Sequence, residues 1–291
     1  MMRFVKAHGA GNDFVLIEDL DDSLRPNAAF VAAVCDRHFG VGADGLIRIT
    51  RARSADFFMD YYNADGEVAE MCGNGIRCLA KYVADRGMWA GAELVVDTRD
   101  GVKRMTLERD ASGAVSRVRV DMGAPILDRA EIPMTGSGDP LHEQLAVAGQ
   151  DLEAACVSMG NPHAVVFVDD LAGIPFETLG PALETNDRFP AKTNAEFAQV
   201  LNDHEVRMRV WERGVGETMA CGTGACAVGV AANLRGYTGR SVAIHLPGGT
   251  LDIEWMADGR VFMTGPAEET FEGTLGSRLT SLLPESTSMK G

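Results

Sequence analysis

Two stretches of this sequence share one pattern, Cys72-Gly73-Asn74-Gly75 and Cys221-Gly222-Thr223-Gly224, and each opens an apolar segment. The offset that carries Cys72 to Cys221 also carries Asn12 to Asn161, so the correspondence extends far beyond the two turns. Chance matches between glycines are common in a chain with 33 of them, but cysteine and asparagine pairs in one register are not. We therefore interpret the chain as an internal duplication with one fold in each half.

Each half is expected to enclose one main helix. The segment from Gly73 to Arg86 places its apolar residues at the spacing of one helical face. The segment from Gly224 to Ala232 contains no charged residue, and a helix that is apolar on every side is normally buried. Short strand-like segments between Gly, Pro and Asp turns fill most of the remaining chain. These features predict two sheet-rich halves, each curled around a helix.

The boundary between the halves is expected near Gly123-Ala124-Pro125. We assign residues 1–122 to the N-terminal half, which a segment of about 266–276 rejoins, and residues 123–265 to the C-terminal half. Residues 277–291 are expected to form a polar tail.

Composition limits the range of partners. The chain has 291 residues, 46% of them hydrophobic, and a formal net charge of −15. This charge makes nucleic acid and anionic membranes unsuitable partners, because both require a basic face. No stretch reaches the ~20 apolar residues of a membrane span, and the N-terminus lacks the apolar run of a signal peptide. We therefore expect a soluble, cytoplasmic protein that acts on a small molecule.

Two patterns that often mark cofactor sites occur here in the wrong context. Gly40-Val41-Gly42-Ala43-Asp44-Gly45 has the G-x-G-x-x-G spacing, but a predicted helix precedes it and a predicted strand follows, the reverse of a dinucleotide site. The spacings from Cys72 to Cys78 and from Cys221 to Cys226 do not match zinc sites. The six cysteines are expected to be reduced thiols, and neither a metal nor a nucleotide is expected.

The two cysteine-led turns have a chemical interpretation. Unpaired amides and the helix dipole at a helix N-terminus stabilise a thiolate and can also hold a carboxylate. If the halves face each other, a carboxylate held by both termini would place its α-carbon between Cys72 and Cys221. One thiolate would remove the α-proton while the opposite thiol delivers a proton to the other face, as in a two-base racemase or epimerase. The alternative is that Cys-Gly-x-Gly only makes a tight turn into a core helix.

Further motifs occur in the order of a known family, and the chain resembles diaminopimelate epimerases over nearly its whole length. The motifs are Lys6-Ala7-His8-Gly9-Ala10-Gly11-Asn12-Asp13-Phe14, Asp36-Arg37-His38-Phe39-Gly40-Val41-Gly42-Ala43-Asp44-Gly45, Tyr62-Asn63-Ala64-Asp65-Gly66, Met71-Cys72-Gly73-Asn74-Gly75-Ile76-Arg77-Cys78, Gly160-Asn161-Pro162-His163, Thr193-Asn194 and the run from Trp211 to Gly224.

The resemblance implies an α+β fold of two pseudo-symmetric domains, each a barrel-like, mainly antiparallel sheet around a central helix, with the active site in the cleft between them. It also implies an isomerase that needs no pyridoxal phosphate or other cofactor and interconverts LL- and meso-2,6-diaminopimelate in lysine and peptidoglycan precursor biosynthesis. Cys72 and Cys221 would be the acid and the base, and His163 and Glu212 would tune the two thiols. A homodimer is expected from the resemblance alone.

By the same resemblance, side chains and backbone amides hold the substrate. Amides and a guanidinium suit this task because they pair with charged groups without adding a competing base. The side chains are those of Asn12, Asn63, Asn161, Asn194, Glu212 and Arg213, and the backbone amides are those of Gly73, Asn74, Gly222 and Thr223. The chain departs from the family at Gly45, where many relatives carry Gln, so a side-chain contact is missing and the distal pocket is expected to differ.

Two other functions stay open at this point. A proline or hydroxyproline racemase of the same two-domain fold would use the same pair of cysteines. Against it, a compact substrate leaves the asparagines and Arg213 without a distal group to bind. A non-catalytic small-ligand or thiol-redox protein belongs to another class and would exchange no α-proton.

Overall fold

The computed structural model describes residues 2–284. The described chain divides into two compact units. The first contains the residues up to Val120 and those from Pro266 onward, and the second is Asp121–Gly265.

The first unit begins with ten elements. They are strands β1 (Arg3–Gly9) and β2 (Asn12–Glu18), helix α1 (Ala28–Cys35), strands β3 (Gly45–Thr50), β4 (Phe57–Asn63) and β5 (Val68–Ala69), helix α2 (Gly73–Asp85), and strands β6 (Glu93–Thr98), β7 (Gly101–Arg109) and β8 (Val115–Gly123).

The second unit repeats this succession after a short 3₁₀ turn at Pro140–His142. Its elements are strands β9 (Glu143–Val147), β10 (Gln150–Ser158) and β11 (Pro162–Phe167), helix α3 (Phe176–Glu184), strands β12 (Asn194–Asn202), β13 (Glu205–Glu212) and β14 (Gly216–Glu217), helix α4 (Gly222–Leu234), and strands β15 (Ser241–Leu246), β16 (Gly249–Trp255) and β17 (Val261–Pro266). Strand β18 (Glu268–Thr274) and helix α5 (Ser277–Thr280) then return to the first unit.

Strand pairing is the same in both units. In the first, β1 lies antiparallel to β18 and β2, β2 runs parallel to β3, β3 is antiparallel to β4, β4 is parallel to β6, and β7 follows antiparallel between β6 and β8. In the second, β10, β11, β12, β13, β15, β16 and β17 repeat these directions in order, with β9 in the place of β18. The prediction of two duplicated, mainly antiparallel α+β domains is confirmed.

Each sheet curls around one helix, as the sequence predicts. Helix α2 contacts β1, β2, β3, β7 and β18, and α4 contacts β10, β11, β12, β15 and β16, so strands from distant parts of each sheet meet the same helix. Residues Ala225 to Val228 of α4 are completely buried. The fully buried Arg77 of α2 donates from Nη1 to the Gly73 carbonyl and from Nε to the Pro266 carbonyl, each at 3.1 Å. This guanidinium therefore ties the returning segment to the central helix.

Helix α1 and the C-terminal segment share one core. Asn27 caps α1, and its side chain accepts a hydrogen bond from the Phe30 amide at 2.8 Å. Phe30 packs in a cluster that includes Leu279 of α5. The expected polar tail therefore begins as a docked helical turn, because Leu279 gives it an apolar anchor. Its remainder, from residue 285, lies outside the described residues.

Helix α3 is an element that the sequence analysis did not predict. It contains Gly180 and Pro181, both poor helix formers. A Cβ on Gly180 would lie 2.9 Å from the Trp211 ring, so the glycine allows the helix to pack on this indole. Tertiary packing thus outweighs local propensity.

In the described part of the chain, no helix is long and apolar enough to cross a membrane.

Replacing Phe30 by Ala should lower the free energy of unfolding by about 3–5 kcal/mol, because the ring is fully buried and its loss leaves a cavity. The matched control is Phe39→Ala, whose ring is 76% exposed and whose removal should change stability by less than about 0.5 kcal/mol. Urea unfolding followed by circular dichroism measures both. Equal midpoints for the two variants would contradict the assigned core.

Candidate active site

Cys72 and Cys221 occupy equivalent positions, as the N-cap residues of α2 and α4. Both have extended backbones, with φ and ψ of −137° and 118° at Cys72 and −120° and 114° at Cys221. The first amides of a helix have no partner within it, so each sulfur lies beside the positive end of a helix dipole. Cys72 is partly exposed, whereas Cys221 is buried.

Two glycines after these cysteines have a packing role. A Cβ on Gly75 would lie 2.7 Å from Cδ1 of Ile47, and a Cβ on Gly224 would lie 2.8 Å from Oε1 of Glu196. A Cβ at either position would force the neighbouring side-chain end, the Ile47 methyl or the Glu196 carboxylate, to move. Gly75 and Gly224 therefore permit close packing where each helix begins.

In the first unit, Asn12 links Cys72 to Asp44. Oδ1 of Asn12 lies 3.6 Å from the Cys72 sulfur and accepts a hydrogen bond from Nδ2 of Asn74 at 3.1 Å. Nδ2 of Asn12 donates to Oδ2 of Asp44 at 2.7 Å. Because an ionised carboxylate can only accept, Asp44 fixes the amide so that its oxygen faces the thiol.

Asp44 is itself held by charged neighbours. Arg37 donates to Oδ1 of Asp44 at 2.7 Å and to Oδ1 of Asp13 at 2.8 Å, and the Lys6 ammonium lies 2.6 Å from Asp13. Burial raises the pKa of Asp13, but hydrogen bonds from Arg37 and Lys6 outweigh it, so the pKa of this carboxyl lies below its ordinary value. Arg37 therefore anchors both carboxyl groups, including that of Asp44, which supports Asn12.

Gly45 and Asn63 lie opposite each other where β3 pairs with β4. A Cβ on Gly45 would come within 2.6 Å of both Cε2 of Tyr61 and the Tyr62 carbonyl oxygen. The space beside Gly45 is thus already occupied, which explains why a longer side chain such as Gln does not fit here. Asn63 begins the turn to β5, where its amide donates to the Glu67 carbonyl at 2.9 Å.

In the second unit, the Cys221 sulfur accepts a hydrogen bond from the Gly224 amide at 3.3 Å and lies 3.5 Å from the Thr223 hydroxyl. Nδ2 of Asn161 donates to the same hydroxyl oxygen at 3.3 Å. Asn161 is the duplicate of Asn12, and both asparagines therefore lie next to the cysteine of their own unit.

A buried histidine and carboxylate continue this network. Nε2 of His163 lies 3.0 Å from Oδ1 of Asn161, and Nδ1 lies 2.6 Å from Oε1 of Glu196. Both side chains of the pair are completely buried. Glu196 was not among the residues predicted from sequence, although a charged residue within the apolar run Ala195-Glu196-Phe197-Ala198 is a usable signal.

Burial raises the pKa of Cys221 well above its ordinary value, and the negative charges of Glu212 and Glu196 add to this effect. Hydrogen bonds from Thr223 and Gly224 oppose it but do not compensate. The helix N-terminus alone therefore does not make this cysteine a thiolate, contrary to the simplest expectation from sequence.

The remaining predicted residues of the second unit lie around the turn after β13. Oδ1 of Asn194 accepts from the Arg213 amide and Nδ2 donates to the Pro162 carbonyl, both at 2.9 Å. The Arg213 side chain is exposed, and its Nη1 donates to the Ala191 carbonyl at 3.3 Å. Glu212 accepts a short hydrogen bond from the Thr218 hydroxyl. Asn194 thus joins two loops with its amide, while Arg213 extends toward solvent.

The structure places the predicted residues in two groups, one in each unit. Asn12, Cys72 and Asn74 come together in the first unit, and Asn161, His163, Cys221 and Thr223 come together in the second. Burial raises the pKa of Cys35 and of Cys78 to about 12, consistent with core thiols. Among residues 2–284, no cluster of His, Cys, Asp and Glu could hold a metal ion.

The sequence matches the family model described as diaminopimelate epimerase over residues 4–127 and 155–270. The chain belongs to this family. Diaminopimelate epimerase of Pelotomaculum thermopropionicum is 53% identical over 275 residues, and that of Moorella thermoacetica is 52% identical over 277; each alignment covers 94% of this chain and 98% of the relative. The family predicted from the motifs is confirmed.

Solved structures support the fold independently. A phenazine biosynthesis protein of the PhzF family from Bacillus anthracis superposes with a TM-score of 0.69 at 16% identity, covering 94% of this chain and 99% of its own. A probable proline racemase from Agrobacterium radiobacter K84 gives a TM-score of 0.70 at 14% identity, covering 95% and 93%. The diaminopimelate epimerase family therefore shares its two-unit fold with proteins of very different sequence.

Replacing Glu212 by Gln should lower the pH at which Cys221 becomes a thiolate, because it removes a negative charge that acts on the sulfur. The measurement is the pH dependence of iodoacetamide alkylation, quantified on the Cys221 peptide by mass spectrometry. In the unchanged protein the midpoint should lie above the ordinary pKa of 9.0. Glu177→Gln, at a side chain 73% exposed, is the matched control and should leave the midpoint unchanged.

Proposed function

We propose that this protein interconverts LL- and meso-2,6-diaminopimelate, with Cys72 and Cys221 acting on opposite faces of one α-carbon. Family membership over almost the whole chain supports the substrate. The observation that carries the mechanism is the occurrence of a cysteine N-cap at the central helix of each duplicated unit. A core turn does not need a cysteine at this position in both units, whereas a two-base inversion needs one acid–base group for each face of the α-carbon.

The proposed reaction moves one proton off the α-carbon and another onto it. A thiolate takes the α-hydrogen, which breaks the C–H bond and forms an S–H bond. The opposite thiol then gives its proton to the other face, which breaks its S–H bond and forms the new C–H bond. The two sulfurs have exchanged their protonation states, so the reverse reaction starts from the product form. Because Cys221 has a raised pKa, we assign it as the donor in the resting protein and Cys72 as the base.

The carboxylate beside the reacting carbon needs hydrogen-bond donors, because removal of the α-proton places further negative charge on it. We assign this role to the backbone amides of Gly73, Asn74, Gly222 and Thr223. First-turn amides suit it, since the helix itself supplies them with no acceptor. We assign the distal amino-acid end to Asn63, Asn194 and Arg213, of which the exposed Arg213 guanidinium can pair with a carboxylate through two hydrogen bonds.

The remaining assigned residues surround the thiols. We place Asn12 and Asn161 at the substrate as well as at their own cysteines, which they approach directly or through Thr223. His163 and Glu212 are assigned to tune the thiols, and for Glu212 the raised pKa of Cys221 supports this. The mechanism needs no pyridoxal phosphate, because stabilisation of the carbanion is assigned to the amides.

Proton NMR in deuterium oxide tests the substrate and the inversion together. LL-diaminopimelate is incubated with the reduced protein, and loss of the α-hydrogen signal is followed alongside formation of the meso isomer. Exchange coupled to inversion is expected. If neither occurs, the assigned substrate is wrong, and the same measurement with proline and hydroxyproline decides whether the protein is a racemase for compact substrates.

Replacing Cys72 or Cys221 by Ala should lower kcat/KM by about 10²–10⁴-fold, since each variant lacks one acid–base group. Residual exchange in either variant should occur without inversion, because only one face of the substrate retains a thiol. Cys35→Ala and Cys156→Ala are matched controls, one in the core of each unit, and should retain activity. Inversion at the normal rate in either of the first two variants would refute the two-base mechanism.

A further inference from the structure

We propose that Glu196 is a positioning residue that holds the Nδ1 proton of His163. Nε2 of His163 then controls, through Asn161 and Thr223, whether the Cys221 sulfur faces a hydrogen-bond donor or an acceptor. This inference rests on the proposed function, because only a catalytic Cys221 must alternate between thiol and thiolate. It adds a residue that lies outside the motifs by which the family resemblance was recognised.

The strand register places Glu196 beside the histidine. His163 on β11 lies opposite Asn194 on the parallel strand β12, and Glu196 follows two residues later on the same face of β12. Its neighbours Ala195 and Phe197 point to the other face, into the core of the unit. The result is a hydrogen bond of 2.6 Å between two side chains with no solvent exposure.

The burial of the Glu196 carboxylate at this position is energetically unfavourable. Burial of a carboxylate is strongly unfavourable unless a charged or strongly donating partner compensates it. Oε2 of Glu196 has no hydrogen-bond partner among the described residues, so His163 is the side chain that compensates the carboxylate. Gly224 provides the space, because a Cβ there would lie 2.8 Å from Oε1 of Glu196. His163 and Gly224 thus both accommodate the carboxylate of Glu196.

The hydrogen bonds form an unbroken series from Glu196 to Cys221. Nδ1 of His163 lies against Oε1 of Glu196 and Nε2 against Oδ1 of Asn161. Because an amide oxygen only accepts, Nε2 is the donor in this arrangement. Nδ2 of Asn161 donates to the Thr223 hydroxyl, which is then free to donate to the Cys221 sulfur. In this sense the Thr223 hydroxyl can donate to a Cys221 thiolate, the form that Cys221 takes once it has given up its proton.

The series can also run in the opposite sense. If Nε2 of His163 is unprotonated, a half-turn of the Asn161 amide lets its NH₂ group donate to Nε2 and its oxygen accept from Thr223. The Thr223 oxygen then accepts from the Cys221 thiol. The two senses differ by one proton on Nε2, one proton on the sulfur and the orientation of one amide.

The hydrogen bond between His163 and Glu196 is the one member of the series whose direction cannot reverse. An ionised carboxylate has no proton to donate, so Nδ1 of His163 carries a proton in both senses, and the variable proton is confined to Nε2. Without Glu196, the imidazole could place its single proton on either nitrogen, and the series would lose its fixed end. The charged groups acting on Cys221 are Glu212 at the end of β13 and Glu196 itself.

The test measures the His163 tautomer directly. Protein labelled with ¹⁵N-histidine is examined by long-range ¹H–¹⁵N correlation, with His163→Gln to assign the signals. Nδ1 should be protonated in the unchanged protein and in Glu196→Gln, which retains an oxygen acceptor. In Glu196→Leu, which has similar volume but no acceptor, the proton should move to Nε2. A retained Nδ1 proton in Glu196→Leu would overturn the proposal.

Kinetics and alkylation complete the test. Glu196→Leu should lower kcat about 10–100-fold with little change in KM, a loss of the size seen when the carboxylate partner of a metal-bound histidine is removed. Glu196→Gln should recover most of this activity. A loss that only follows a reduced folded fraction, with an unchanged tautomer, would show that Glu196 is purely structural.

Thr223→Val removes the hydroxyl group at the other end of the series. This test does not depend on how well the Glu196 variants fold. It should shift the pH midpoint of Cys221 alkylation while the His163 tautomer stays unchanged. Identical midpoints in the unchanged protein, Glu196→Gln and Thr223→Val would overturn the proposal. The tautomer and alkylation measurements need no substrate, so they remain decisive even if the protein fails to epimerise diaminopimelate.

Discussion

The structure depends on the burial of one helix inside one curled sheet, a constraint that each unit meets separately. The apolar faces of α2 and α4 have no place in water, and strands from distant parts of each sheet cover them. This burial fixes where each helix begins and therefore where its N-terminal amides and cysteine lie. Gly75 and Gly224 permit the close approach of helix and sheet on which this placement depends.

The polar residues around the cysteines follow from the same constraint. A helix N-terminus in the interior of a domain presents unsatisfied amides and a partial positive charge, which attract acceptors and carboxylates. Asp44 is linked to such a terminus through Asn12 and Asn74, and Glu196 lies beside Gly224 at the start of the other. Each carboxylate acts through an asparagine of the duplicated Gly-Asn pair, directly at Asn12 and through His163 at Asn161.

The two units have diverged at this point. In the first, Asp44 fixes Asn12 with its oxygen toward Cys72, because a carboxylate accepts and cannot donate. In the second, a histidine lies between the carboxylate and the asparagine, and an imidazole can either donate or accept at Nε2. One unit thus has a fixed support for its cysteine and the other a reversible one. Duplication supplied the same scaffold twice, and changes of a few side chains made the halves chemically different.

The sequence by itself determined the duplication, the two central helices, the cysteine pair and the family, because these depend on short motifs and on local apolar periodicity. It did not predict helix α3, since the packing of Gly180 on Trp211 overrides weak local propensity. Only the tertiary structure decided that Glu196 meets His163, that Tyr61 occupies the space beside Gly45, and that burial raises the pKa of Cys221. Each of these depends on which strands lie side by side and on how deeply a group is buried, and neither is encoded in the spacing of residues along the chain.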